Sequence, residues 1–200
     1  SKKIENNNRL NFMILNGKFF LKIFFVSLVI LSFFLGYFFR ENSVGGGLEF
    51  YKLSWPIIQS FKNDFVFTIK NYATFGDGTI PFSHIINAYL NPFNTVETNF
   101  QLSITIISFF IFLVFAIILK KIFSQISFIN ILLTSSIILL LPHFRTSAFW
   151  GKNENYGWLF FMVALYFFFK IKEKVEKTPD NRDIIDVIFF CFASACALYA

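Results

Sequence analysis

The sequence predicts an all-α fold: a polytopic bundle of transmembrane helices with amphipathic juxtamembrane helices in a large first outer loop. Three observations carry that expectation. The chain is 56% hydrophobic and holds 33 Phe in 200 residues, more apolar surface than a soluble domain of this length can hide. Its apolar residues gather into runs about as long as a bilayer core requires. The Lys and Arg residues sit beside those runs, where they orient a chain in a membrane. The net charge of +6 therefore points to membrane placement and away from nucleic acid as a partner.

Residues 1–17 are polar and Asn-rich, carry Lys2, Lys3 and Arg9, and read as a disordered cytoplasmic tail. The run "KFFLKIFFVSLVILSFFLGYFF" (18–39) is the first span; without a small-residue cleavage site it reads as an uncleaved helix. Further spans are expected at 100–119, 126–142, 156–170 and 184–200, the fourth short enough to need its flanks. The apolar run at the end makes the chain read as the N-terminal part of a longer protein. With five crossings, the tail, the Lys120-Lys121 turn and "KIKEKVEKTPDNR" (170–182) fall on one side, the cytoplasm. Loops 40–99 and 143–155 then face outward. The Phe, Ile, Lys and Asn bias suggests a bacterial inner (plasma) membrane. Cys191 and Cys196 lie in the last run and read as small apolar filler.

The first outer loop has its own periodicity. Leu53, Ile57, Phe61, Phe65 and Ile69 recur every four residues, which predicts an amphipathic helix lying on the membrane surface with Pro56 in its first turn. In "GDGTIPFSHIINAYLNPF", Phe82, Ile85, Ile86, Tyr89 and Leu90 share one helical face, and Pro81 suits the start. Ser83, His84, Asn87 and Asn91 occupy the other face, so this helix is expected to be juxtamembrane or re-entrant and not to cross.

Candidate chemistry collects in the outer loops. In "GGGLEFYKLSWP", Glu49 follows the first span closely, and the glycines would let backbone approach a ligand. A carboxylate beside lipid suits a general base, and the plainer reading is a solvated loop acid. In "FGDGTIP", Asp77 reads as turn or cap chemistry, with a catalytic role in reserve. His84 could face a ligand or lipid headgroups. In "PHFRTSAFWGKNENYGW", Arg145 and Lys152 read either as anchors to lipid phosphates or as the binding pair for a substrate phosphate. Glu154 would balance or orient them, and Trp150 and Trp158 fit an interfacial aromatic belt. The pattern calls for no metal and no cofactor.

Together these stretches resemble the GT-C superfamily of membrane glycosyltransferases, which use lipid-phosphate sugars. "GGGLEFYKLSWPIIQ" occupies the place of the family's acidic segment, with Glu49 and Tyr51 at the matching positions. One Glu preceded by Leu48 stands where the family carries an acidic pair. "FGDGTIPFSHIINAYLNPF" resembles the family's Pro-containing helix, with Pro81 as one of its two prolines. "RTSAFWGKNENYGWLFFMVALYFFFK" resembles the next outer loop and its span. The resemblance implies a polyprenyl-phosphate donor with its tail in the bilayer and its sugar at the outer surface. It implies that Glu49 deprotonates an acceptor hydroxyl, of a glycan, lipid or protein, for one inverting displacement. Tyr51, His84, Arg145, Lys152 and Glu154 would contact the substrate, the basic groups stabilising the departing phosphate. The alternative is a non-catalytic membrane protein, or a transporter or envelope-polysaccharide polymerase fragment. A transporter should carry ionisable groups near mid-span, and these spans are almost wholly apolar.

Overall fold

The computed structural model describes residues 2–42, 45–75, 81–152, 154–177 and 184–199, with side chains from Gly17 onward other than that of Lys177. Among the described residues the regular elements are all helical. Helix α1 (Lys2–Phe38) begins inside the Asn-rich stretch, so the segment expected to be a disordered tail is helical. Short helices follow: α2 (Gly46–Glu49), a π-helical turn at Phe50–Ser54, α3 (Trp55–Asn63), α4 (Phe65–Lys70) and α5 (Phe82–Tyr89). The remainder comprises α6 (Glu97–Ile122), α7 (Phe128–Ser135) with a 3-10 continuation to Leu140, α8 (Pro142–Phe149), α9 (Glu154–Lys177) and α10 (Ile184–Tyr199).

Among the described residues two helices are long and apolar enough to cross a membrane, residues 17–38 of α1 and all of α6. A third qualifies only if α7 and α8 count as one span bent by 70°. The bend has local causes. Ser135 and Ser136 turn their hydroxyls back onto the carbonyls of Ile131 and Leu133, which competes with the helical ladder. Pro142 has no N–H to continue that ladder and holds Leu141 extended (φ −68°, ψ 121°). The five full crossings expected from the sequence are thus not matched by five long apolar helices. α9 holds the fourth apolar run between polar ends, and α10 has 16 residues. Length and composition support membrane association.

Polar contacts at the helix ends fix the alternation. At one end, Lys22 donates to Asn130 (2.6 Å), Lys121 pairs with Glu173 (2.5 Å), and Lys170 and Lys174 both pair with Asp186 (2.6 and 2.8 Å). At the other, the Tyr37 hydroxyl donates to the Thr98 carbonyl (3.0 Å) and Arg40 bonds Gln101. Successive long helices therefore run antiparallel. α1 packs on α7 and α8, α6 on α7, α8 and α9, and α9 on α10. Phe33, Ile111, Phe112, Leu139 and Phe149 form the core between α1, α6 and α8. Phe50, Ile57, Ile58 and Phe61 form a second core on Phe100 and Ile104 of α6. The short helices thus make a roof over one end of the bundle.

The roof differs from the sequence reading in two ways. The four-residue stripe does not form one surface helix, because Asp64 interrupts it. Its backbone is extended (φ −151°, ψ 102°) and its carboxylate caps α4 by accepting from the Phe67 N–H at 2.9 Å. Ile57 and Phe61 are fully buried in protein, while Phe65 and Ile69 are exposed. Helix α5, in turn, points its polar face inward. Ser83, His84 and Asn87 are buried, whereas Tyr89 and Leu90 are 53% and 75% exposed. Partners explain the inversion: the Tyr156 hydroxyl donates to Asn87 Oδ1 (2.7 Å), Asn91 donates to Ser103 (2.8 Å), and Asn94 caps the Asn87 carbonyl (3.1 Å). A polar face with partners belongs inside, and an apolar one outside costs little where lipid is the surrounding.

Candidate functional site

The site is assembled where α8 ends. Thr105 of α6 donates to the Ala148 carbonyl (3.0 Å), and Asn155 of α9 donates to Ser108 (2.7 Å). These two contacts fix the end of α8 and the start of α9 against α6. Gln101, Thr105 and Ser108 lie on one face of α6 at helical spacing, and all three are buried. Polar residues at i, i+4 and i+7 in an otherwise apolar helix were the available sequence signal for this seam.

The glycine triplet docks onto the same segment. Gly45 has φ +74°, a left-handed conformation that starts α2. Gly46 and Gly47 are buried against Thr146 and Trp150. A Cβ on Gly46 would lie 2.7 Å from Thr146 Cγ2, and one on Gly47 would lie 3.0 Å from the Trp150 ring. The glycines fasten the loop to α8 by close approach. The sequence reading gave them freedom to approach a ligand, and that reading is corrected here. Gly46→Ala should therefore lower stability by about 1–3 kcal/mol through overpacking, read as a fall in melting temperature in detergent micelles. An unchanged melting temperature would mean that this contact is loose.

Docking brings Glu49 to Lys152. Its carboxylate lies 2.6 Å from Lys152 Nζ, and Glu154 Oε1 approaches the same ammonium at 3.9 Å. Ser147 donates to the other Glu154 oxygen at 2.8 Å. The lysine side chain is 9% exposed, whereas Glu49 and Glu154 are 42% and 46% exposed. A buried cation thus sits beneath two acids that face outward from the protein. Tyr51, half exposed, meets the Trp150 ring edge to face at 6.2 Å.

Arg145 is differently engaged. Nε approaches both oxygens of Glu41 (3.1 and 3.0 Å), and Nη2 bonds Glu41 Oε2 (2.6 Å) and the Ser32 carbonyl (2.9 Å). Nη1 reaches the Leu139 carbonyl (3.2 Å) and the Ser32 hydroxyl (3.4 Å). The whole guanidinium fork is spent on Glu41, Ser32 of α1 and the 3-10 turn, so a phosphate would have to displace protein partners to reach it. Trp150 completes the joint by donating Nε1–H to the Glu41 carbonyl (2.9 Å), with the Arg40 guanidinium 5.8 Å from its ring. Glu41 was not foreseen from the sequence; an acid just past the first span, with an Arg in the next loop on that side, was the signal.

His84 lies fully buried in the roof seam, its Nδ1 3.0 Å from the Tyr72 hydroxyl. Asp77 lies outside the described residues. Among the described residues no cluster of three or more His, Cys, Asp or Glu could hold a metal ion. Beside Glu154, a groove of about 830 Å³ runs between α9 and α10, lined by Trp158, Phe161, Phe168, Phe190 and Leu198 among others. Chemically, Glu49 can accept a proton, Lys152 can meet an anion, and Glu154 can hold either a donor group or Lys152 itself. Comparison of the chain with protein-family models, with curated proteins and with solved structures gave no match.

Proposed function

We propose that this chain belongs to a polytopic membrane glycosyltransferase that moves a sugar from a polyprenyl-phosphate donor to an acceptor hydroxyl, with inversion. The observation that carries the reading is the Glu49–Lys152–Glu154 group: one buried ammonium under two half-exposed carboxylates. Without substrate, Lys152 pairs directly with Glu49. A donor phosphate arriving at the ammonium competes for it and releases the Glu49 carboxylate to take the acceptor proton. The acceptor oxygen then bonds the anomeric carbon as the bond from that carbon to the phosphate oxygen breaks. Polyprenyl phosphate leaves with the bonding electron pair, and Lys152 stabilises its growing charge. Glu154 orients Lys152, Tyr51 borders the sugar, and Arg145 acts by fixing α8 against α1.

The placement proposed with it has the N-terminus in the cytoplasm of a bacterial inner membrane and the Glu49 group outside. The lysine-rich helix ends support that orientation. The test uses the protein at its native length in nanodiscs, with glucose, mannose and pentose each supplied as the polyprenyl-phosphate and total membrane glycolipid as acceptor. Release of polyprenyl phosphate above that of empty discs is expected for one donor; no release from any donor overturns the transferase reading. In cells, with Cys191 and Cys196 replaced, cysteines at Leu48 and Val96 should react with an impermeant thiol reagent. A cysteine at Lys121 should react only after permeabilisation, and its labelling from outside overturns the orientation.

A further inference from the structure

The groove between α9 and α10 is apolar along its length and acidic at one end. Among the described residues its lining carries one charged group, Glu154, and one turn further along the same helix is Trp158, 48% exposed. From Glu154 to Phe168 the α9 wall is about 21 Å long, more than one leaflet of a bilayer core about 30 Å thick. Its 830 Å³ is in the range of cavities that enclose small-molecule ligands, roughly 300–1,000 Å³.

The charge at the mouth selects the occupant. Glu49 and Glu154 share the one ammonium of Lys152, with Glu49 the nearer partner. A headgroup that offers Glu154 only its phosphate gains nothing from that carboxylate, whereas one that ends in an ammonium pairs with it. Glu154 Oε1 stands 3.9 Å from Lys152, beyond hydrogen-bonding distance, and can accept from a further donor. A carboxylate and a half-exposed indole one helical turn apart both attract an ammonium, the first by a charge-assisted hydrogen bond and the second through its ring quadrupole. We infer that this groove holds a phospholipid with a primary ammonium headgroup, a phosphatidylethanolamine. Its ammonium sits between Glu154 and Trp158 and one acyl chain lies along Phe161, Phe168 and Phe190. The inference rests on the membrane placement proposed above and is independent of sugar transfer.

The test is quenching of tryptophan fluorescence in the full-length protein by chain-brominated phosphatidylethanolamine or phosphatidylglycerol, titrated into mixed micelles. The quenching that disappears in Trp158→Phe reports the groove. That component should show a preference of about five- to tenfold for the ethanolamine lipid. Glu154→Gln should bring the two lipids near parity while leaving chain association in place. Ala164→Phe, which fills the groove below the headgroup, should weaken quenching by both and serves should Glu154→Gln fail to fold. Equal quenching in the unmodified protein, or a preference that survives Glu154→Gln, overturns the assignment. No quenching of Trp158 by either lipid means that protein fills the groove, and overturns it as well. Transfer activity is not read in this experiment, so either proposal can fail alone.

Discussion

Arg145→Ala is expected to destabilise the protein by about 3 kcal/mol, at the lower end of what removing one partner from a buried ion pair costs. The Arg145 side chain is 9% exposed and that of Glu41 33%, so the abandoned carboxylate recovers some hydration. The carbonyls of Leu139 and Ser32 lose their donors too, and the latter joins α8 to α1. Arg145→Lys should recover only part of the loss, because an ammonium restores the charge without the planar fork that reaches Glu41, Ser32 and Leu139 together. Thermal unfolding in detergent, checked by proteolysis at the α1–α2 joint, reads the effect. If Arg145→Ala melts like the unmodified protein, the clamp adds nothing to stability, and the arginine is available for the phosphate contact that the sequence suggests.

That contest over Arg145 shows where the sequence stops being informative. The segments within 17–38 and 97–122 are legible because an apolar run of that length has few other uses. The third span looks equally apolar in sequence. Ser135, Ser136 and Pro142 break it, and only the backbone tells whether such residues are tolerated inside a helix or end it. In the roof, the periodicity identified which residues share a face and not what that face meets. Protein core and lipid both reward an apolar side chain, so the stripe of α3 and that of α5 read alike. The first is buried in protein at Ile57 and Phe61, whereas the second is half-buried at Ile85 and Ile86 and exposed at Tyr89 and Leu90. Asp64 was the readable exception, an N-cap residue amid an apolar stripe.

The site was legible as a set of residues and not as a set of neighbours. Glu49, Lys152 and Glu154 each stand out as charged groups close to apolar runs, but residue 49 is about a hundred positions from the other two. Two buried glycines on Trp150 and a polar seam on α6 bring them together. Neither feature announces itself by spacing, since close backbone approach and loop flexibility both call for glycine.

Glu49→Gln is expected to have the largest effect on activity, a fall in turnover of about two to four orders of magnitude. The amide keeps the size and most of the hydrogen bonding of the carboxylate, so the fold should persist and the melting temperature should stay near that of the unmodified protein. What goes is the proton acceptor of the proposed mechanism. Neutralising position 49 also removes the partner 2.6 Å from Lys152, so donor phosphate meets less competition and KM for the donor should stay level or fall. Lys152→Met should behave differently. In the proposed mechanism it loses a phosphate contact that exists before the transition state and strengthens in it, so donor binding and turnover should both decline. Asp77→Asn should have a smaller effect than either if Asp77 serves as turn or cap. All three variants are measured by polyprenyl phosphate release in nanodiscs at several donor concentrations, so that kcat and KM separate. Full turnover in Glu49→Gln with collapse in Asp77→Asn would move the base to the second acidic position. Normal kinetics in both Glu49→Gln and Lys152→Met would leave the ion pair a fastening of loop to helix and remove it from the chemistry.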